Sequence, residues 1–376
     1  MSENIDIIEV ASPKQLDAFI TLPNKIYADE KNYVWPLISE RKEFFDKKRN
    51  PFYRGAKTKL FLAKRGDEYV GRIATCINFN HNEFHAENVG FFGFFDTIDD
   101  YDVAAKLLKV AMITLKSEGM EKMRGPANFS TNHEIGFLVD GFDKPPMVMM
   151  TYNRPYLPQF AEKFGLKKVM DLNAYLLTDR IPLNERHLNL VNKLKERFRI
   201  KIRTLDLSRF KEEVELVNRL YNLAWEQNWG FVPLPKDEFD YTAKNLKEIV
   251  DPDLVLIATV DDKPAGFSLA LPDINQALID LKGRLFPFGF LKLLWNIKVK
   301  KKINGIRLIT MGVVPEFQKR GIDSIFYVET YQRGVQKGYN HAELSWILET
   351  NELMNSAARN MGANLYKKYR LVEMPL

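Results

Sequence analysis

One pattern that occurs twice constrains this chain more than any other feature. Residues 59–74 read KLFLAKRGDEYVGRIA and residues 254–269 read LVLIATVDDKPAGFSL. Each is an apolar run, a polar turn and a second run opening with a glycine, which predicts a β-hairpin. Those glycines, Gly71 and Gly266, stand 195 positions apart. A second echo, AEKFGL at 161–166 and ARNMGA at 358–363, places Gly165 and Gly362 197 apart. Between these anchors the elements repeat in order: strand, long helix, strand, helix, strand. The first set is predicted at 89–95, 102–119, 122–129, 155–165 and 166–178. The second is predicted at 306–314, 323–338, 341–348, 351–362 and 366–374. Both long helices carry apolar residues at three-to-four spacing and end at a glycine, Gly119 or Gly338, suited to a left-handed cap. A duplicated α/β unit accounts for the whole chain. The seam is expected near 180–200, giving domains 1–182 and 183–376, the second carrying an insertion at about 276–303.

Composition narrows the class. The chain has 376 residues, 45% hydrophobic and 28% charged, as a globular protein does. Its 55 basic and 49 acidic residues leave +6, which helps attract anionic ligands but does not argue for nucleic acid. The single cysteine, Cys76, excludes an internal disulfide and is expected to be a packed, inert thiol. The five histidines show no metal-ligand spacing, so no metal is expected. The N-terminus has no apolar signal core and no run reaches membrane-crossing length, so a cytoplasmic protein is expected.

The stretch VVPEFQKRGIDSIF, 313–326, carries the functional reading. A strand ending near Val314 and a helix starting near Asp323 leave unpaired N–H groups at the positive end of a helix dipole. Such a terminus can hold a diphosphate. Gly321 permits close backbone approach, and Lys319 and Arg320 could neutralise phosphates. The plain alternative is a strand–turn–helix connection with a surface charge pair.

The order of elements, together with Val313-Val314-Pro315-Glu316-Phe317-Gln318-Lys319-Arg320-Gly321-Ile322-Asp323, resembles the GNAT superfamily of acetyl-CoA-dependent N-acyltransferases. The family's segment reads V-x-P-x-x-[RQ]-x-x-G-x-[GA]; Gln318 and Gly321 match it, and Asp323 replaces a small residue. A carboxylate there is tolerable if it turns away to cap the helix. The resemblance implies two tandem GNAT-like domains of α/β class. Each would be a mixed, largely antiparallel sheet flanked by helices, and the N-terminal half would be degenerate. It covers the full chain as fold but only residues 306–376 as motif. It also implies acetyl-CoA or another acyl-CoA as co-substrate, held by Gly312, Val313, Val314, Gln318, Lys319, Arg320, Gly321, Ile322, Asp323, Ser324 and Asn351. A backbone N–H near Gly312–Val314 would receive the thioester oxygen.

The family's N-x6-Y-x3-G-F motif is only half present. Asn351 and Gly362 fit, while the Tyr and Phe positions hold Ala358 and Ala363. A methyl group donates no proton. Tyr366 and Tyr369 on the next strand are the available substitutes. Glu343 on the strand before is the candidate base, with Glu349 second. In the first half, DTIDDYDVA (96–104) lies opposite the 313–323 loop and places four carboxylates where phosphates would sit. That half is therefore expected not to bind the nucleotide.

Two stretches remain. The long loop 125–156 offers Asn128, His133 and Glu134 as substrate contacts, or else packs between domains. The insertion 277–305 is aromatic and then strongly basic, with Phe286, Phe288, Phe290 and Trp295. It could line an acyl pocket, lie on an anionic membrane, or form a homodimer interface. The reaction expected is transfer of an acetyl or longer acyl group to an amine of a small molecule or amino acid. A non-catalytic binder of the same fold and a Fem-like aminoacyl-tRNA-dependent transferase are the alternatives.

Overall fold

The computed structural model describes residues 4–180, 185–226 and 228–376. In chain order the strands and helices of the first half are β1 (Ile5–Glu9), α1 (Pro13–Ile26), α2 (Ile38–Phe44), β2 (Ala56–Arg65), β3 (Glu68–Asn78), α3 (Phe79–His85), β4 (Val89–Thr97), α4 (Tyr101–Ser117), β5 (Lys122–Gly125), β6 (Phe137–Asp140), α5 (Tyr156–Phe164) and β7 (Lys167–Thr178). The second half continues with α6 (Glu185–Phe198), β8 (Ile200–Thr204), α7 (Phe210–Trp225), α8 (Lys236–Leu246), β9 (Val255–Val260), β10 (Lys263–Pro272), α9 (Asn275–Leu278), α10 (Gly289–Leu294), β11 (Gly305–Val313), α11 (Ile322–Gln336), β12 (His341–Leu348), α12 (Glu352–Asn360) and β13 (Asn364–Pro375). Among the described residues no helix is long and apolar enough to cross a membrane.

These elements form two compact units that are not contiguous in sequence. Unit 1 holds residues 1–172, 277–300 and 367–376; unit 2 holds 173–276 and 301–366. The first boundary falls at 172 rather than near 182, and two later segments belong with unit 1. The chain's last residues complete unit 1, where Val372 pairs with Gly125 and Pro375 with Lys122 in antiparallel register. The insertion also packs on unit 1, with Ile38 N–H donating to the Gly283 carbonyl at 3.0 Å. A strand's alternating pattern announces a strand but does not name its partner, so neither return is visible in sequence order.

Each unit is built the same way. In unit 1, β1, β2, β3 and β4 pair antiparallel in succession, and β4 pairs parallel with β5. In unit 2, β8, β9, β10 and β11 do likewise, and β11 pairs parallel with β12. The long helices cover these sheets. Val103, Ala104, Leu107, Leu108, Ala111 and Leu115 of α4 are all buried, as are Ile322, Ile325 and Phe326 of α11. The repeated hairpin glycines allow close approach, of the covering helix in unit 1 and of the neighbouring strand β11 in unit 2. A Cβ at Gly71 would stand 2.8 Å from Leu107 of α4, and one at Gly266 would stand 2.5 Å from the Gly312 carbonyl. The helix-ending glycines Gly119, Gly165, Gly338 and Gly362 all take positive φ, as their caps require.

Cys76 is buried and its thiol is pushed far above the usual range by burial alone, which makes it inert. His81 is buried beside Glu87, with Nε2 at 2.8 Å from Oε1. Burial pulls its pKa down to about 4, against the opposing bond to Glu87. The unfolded chain therefore binds a proton near pH 6.5 that the folded chain refuses until about pH 4. The stability from this residue is complete above pH ~6.5 and falls as pH drops through that window. Between about pH 7 and pH 5 the loss is expected to be about 2 kcal/mol. Urea unfolding of wild type and His81→Gln at both pH values checks it; an unchanged pH slope in the variant contradicts it.

Candidate acyl-transfer site

The site in unit 2 is a fork between two parallel strands. β11 and β12 pair only from Gly305–His341 to Leu308–Leu344, although β11 runs to Val313 and β12 to Leu348. Beyond Leu308 the strands part. The register of β11 against β10 also slips between Leu269 and Ala270, which re-aims the β11 side chains past the fork.

The Arg307–Glu343 pair lies one residue inside the fork, directly across the two strands. Both side chains are buried, with Arg307 Nε 3.5 Å from Glu343 Oε1. Ser345 Oγ donates to that same oxygen at 2.5 Å and accepts from Arg307 Nε at 2.8 Å. The guanidinium lies over the Trp346 ring, 5.1 Å from its centroid. The Tyr366 hydroxyl donates to the other Glu343 oxygen, Oε2. Tyr366 is half-buried while Glu343 is wholly buried, so the phenol is the outward end of this hydrogen-bonded pair. Thr310 Oγ1 on β11 and Trp346 Nε1 on β12 are buried with no hydrogen-bond partner. A ligand entering the fork could satisfy either of them.

Beyond the fork, residues Pro315–Phe317 form one short turn and α11 begins at Ile322. Gly321 is its N-cap, with φ +76° and no side-chain cap bond. Among the described residues, the N–H groups of Lys319, Arg320, Gly321, Ile322, Asp323 and Ser324 donate to no protein acceptor. Lys319, Ser324 and Gln318 are exposed. These are the groups that would take an anionic diphosphate. Leu194 of α6 closes one side of the turn; a Cβ at Gly321 would stand 2.6 Å from its Cδ1. Gln318 Nε2 donates to the Val313 carbonyl at 3.3 Å and so ties the turn to the end of β11. Arg320 rests over the rings of Phe317 and Phe198 at 5.1 and 6.0 Å. Asp323 does not cap the helix as expected; it stands in the first turn, one turn before Tyr327, whose pKa is raised by burial and, to a lesser degree, by the Asp323 charge.

Other expected positions change in detail. Val314 N–H donates to the Ala265 carbonyl at 2.9 Å, so it is closed to a thioester oxygen. N–H direction alternates along a strand, which turns Gly312 the same way as Val314 and leaves Met311 and Val313 facing the fork. Gly312 instead lets α7 approach, since a Cβ there would stand 2.7 Å from Ala224. Asn351 caps α12, accepting from Met354 N–H at 3.2 Å. The buried hub beside it is Asn355, whose amide nitrogen donates to the carbonyls of Leu348 and Asn351 at 2.9 and 2.8 Å. Its oxygen accepts from Asn173 and Tyr175, each at 2.9 Å. Ala358 is fully buried in α12. Tyr369 is buried in unit 1, opposite Leu138, while Tyr366 reaches Glu343.

In unit 1 the equivalent fork is filled by the chain itself. β4 and β5 pair only through Phe91 and Arg124. Past that point Ala127 N–H donates to the Phe92 carbonyl at 2.7 Å, and Phe94 N–H donates to Asn128 Oδ1 at 2.7 Å. Asn128 Nδ2 donates to Glu134 at 2.7 Å, and Glu134 pairs with Arg41. Burial opposes ionisation of Glu134, but the Arg41 charge and hydrogen bond outweigh it and hold its pKa below the usual range. His133 sits edge-on to Phe44 and Phe52, with ring centroids 5.3 and 5.2 Å away, and burial pulls its pKa down to about 4. The three expected substrate contacts thus build this closure. The helix terminus is closed as well. Asp100 caps α4, accepting from Asp102 N–H at 2.8 Å, and also pairs with Arg65. Asp96 is engaged by Arg72 at 2.8 Å and by the Tyr27 hydroxyl at 2.6 Å.

Sequence reasoning missed Arg307, Thr310, Ser345, Trp346 and Asn355. Arg307, Thr310 and Ser345, standing as polar residues inside the apolar runs IRLITMGVV and HAELSWIL, were the available signal for the two strands.

No family model matches the chain. It is 37% identical over 366 residues to Protein YghO of Escherichia coli, covering 95% of this chain and 92% of that one. It is also 37% identical over 378 residues to the Bacterial ceramide synthase of Caulobacter vibrioides, covering 99% and 98%. Among solved structures it superposes on a tandem GNAT protein from the clavulanic acid biosynthesis pathway with a TM-score of 0.58 at 9% identity, over 99% of this chain and 98% of that one. That likeness is one of fold. The chain belongs to the family of Protein YghO and the Bacterial ceramide synthase, and its architecture is that of the tandem GNAT proteins.

Proposed function

We propose that unit 2 transfers an acyl chain from a coenzyme A thioester to the amine of an amphiphilic amino alcohol or a similar small molecule, forming an amide. The observation that carries the reading is a strand fork with a Glu343–Tyr366 relay at its root and an open run of N–H groups at its mouth. The ceramide synthase relative supports a lipid-like acceptor, since a ceramide is an amide of a long-chain amino alcohol with a fatty acid. Beside Gly312, the α7 side of the fork carries Tyr221 stacked on Trp225 with centroids 5.6 Å apart, an aromatic wall suited to an apolar chain.

The chain's own groups divide the work. The N–H groups of residues 319–324 take the diphosphate. The Met311 and Val313 N–H groups stabilise the oxygen that becomes negative as the amine adds to the thioester carbon. Tyr366 accepts the ammonium proton as its own passes to Glu343, and the relay then returns a proton to the departing sulfur. One C–N bond forms, one C–S bond breaks, and one proton moves from nitrogen to sulfur.

The test follows thiol release from acetyl-CoA and palmitoyl-CoA with a panel of amines that includes long-chain amino alcohols. Amine-dependent release, fastest with the long acyl donor and an amphiphilic amine, is expected. A second reading, a binder that has lost the chemistry, is favoured by the buried methyl of Ala358 and by the Asp323 charge at the phosphate turn. Coenzyme A binding without release for any amine would select it.

A further inference from the structure

Residues 282–300 of the insertion form a prong whose apolar side chains face outward. Phe286 and Phe288 at its tip are 85% and 74% exposed, and Trp295 is 54% exposed. Phe290, Leu291, Leu294 and Val299 extend the same apolar surface along α10 and the π-helical turn Trp295–Val299 that continues it.

The prong is held rather than loose. Asn296 is buried and donates to the Ala277 carbonyl at 3.0 Å. Lys292 Nζ donates to the Asp280 carbonyl at 2.8 Å. Gly283, at φ +71°, lies so close to Pro36 that a Cβ would stand 2.6 Å from its carbonyl oxygen. In unit 2, Gln276 Oε1 clasps the far root, accepting from Asn304 and Gly305 N–H at 2.9 and 3.2 Å. At the tip, Phe290 N–H donates to the Leu285 carbonyl at 2.7 Å, which satisfies backbone groups that would otherwise resist an apolar phase.

Charge names the partner. Residues 277–305 hold Lys282, Arg284, Lys292, Lys298, Lys300, Lys301 and Lys302 against one acid, Asp280. This segment alone equals the chain's entire excess of +6. Its rings are exposed rather than packed around an enclosed space. A two-fold contact between copies would bring two such basic segments together, which like-charge repulsion opposes. Aromatic and aliphatic side chains ringed by lysines fit an anionic bilayer interface, with rings at the acyl boundary and cations among the headgroups. The helical part, 289–299, is about 16 Å long, too short to cross and long enough to lie in the interface.

We propose that this prong docks the protein on anionic phospholipid surfaces. The inference stands independently of the acyl-transfer reading. The test is flotation of the full chain with vesicles of phosphatidylcholine alone or mixed with phosphatidylglycerol. Wild type is expected to float with the anionic vesicles and to dissociate in high salt. Phe286→Ser with Phe288→Ser, and separately Lys298→Glu with Lys300→Glu, should each lower binding about tenfold or more. Thermal unfolding should not change, because these side chains are exposed. Equal flotation of wild type and variants overturns the proposal. So does equal binding to both vesicle types, or a wild-type dimer by light scattering that the Phe286→Ser, Phe288→Ser pair turns into a monomer.

Discussion

Ser324→Glu is expected to lower coenzyme A affinity about a hundredfold, close to 3 kcal/mol, while leaving the fold as stable as before. Ser324 is exposed in the first turn of α11, beside N–H groups that have no protein acceptor. A carboxylate there occupies the anion's position and repels its charge. The same carboxylate interacts favourably with the helix N-terminus, so any loss of binding is not a loss of folding. Unit 1 shows this arrangement already made, since Asp100 occupies the start of α4. Gly321 is the poorer place to test the turn. Its φ is +76°, and a Cβ there meets Leu194 at 2.6 Å, so a substitution strains the backbone as well as the ligand. Titration calorimetry with coenzyme A, set beside thermal unfolding of both proteins, reads the two effects separately. Unchanged affinity in the variant would remove the phosphate assignment.

The second large effect falls on the relay. Tyr366→Phe is expected to lower kcat by about a hundredfold or more with little change in KM for the acyl donor or in stability. Tyr366 is half-buried and phenylalanine keeps its ring, so only the hydroxyl that donates to Glu343 is lost. Glu343→Gln should cost turnover to a similar degree and also destabilise unit 2 by about 3–5 kcal/mol, because it leaves the buried Arg307 guanidinium without its counter-charge. If the two groups form one relay, the double variant loses little more turnover than either single one. Full losses that multiply would show two independent roles, and a Tyr366→Phe enzyme of normal kcat would take the phenol out of the reaction.

Much of this arrangement can be read from the residues themselves. Paired glycines at 71 and 266, and at 165 and 362, mark the repeat because each meets a local demand, either a close approach or a left-handed cap. The loop at 318–324 is legible for the same reason, since a strand, a proline, a glycine and a helix follow one another within a short span. Features that depend on distant partners are not legible. Nothing in the pattern of 367–375 says that it pairs with β5, and nothing in 277–300 says that Trp35 and Pro36 receive it. The chemistry of 128–134 was misleading in an informative way. Polar residues in a long loop suggest a ligand, yet Asn128 and Glu134 use their polar atoms to seal the fork of unit 1. Which N–H groups of β11 face the fork likewise depends on strand parity beyond the slip at Leu269, which spacing alone does not reveal.

The most direct measurement is a crystal structure of the full chain grown with coenzyme A. The diphosphate should lie against the backbone of residues 319–324 with the thiol arm running into the parting of β11 and β12, and the start of α4 should carry no nucleotide. Density for the nucleotide at α4, or anywhere away from the α11 turn, would contradict the assignment of the chemistry to unit 2.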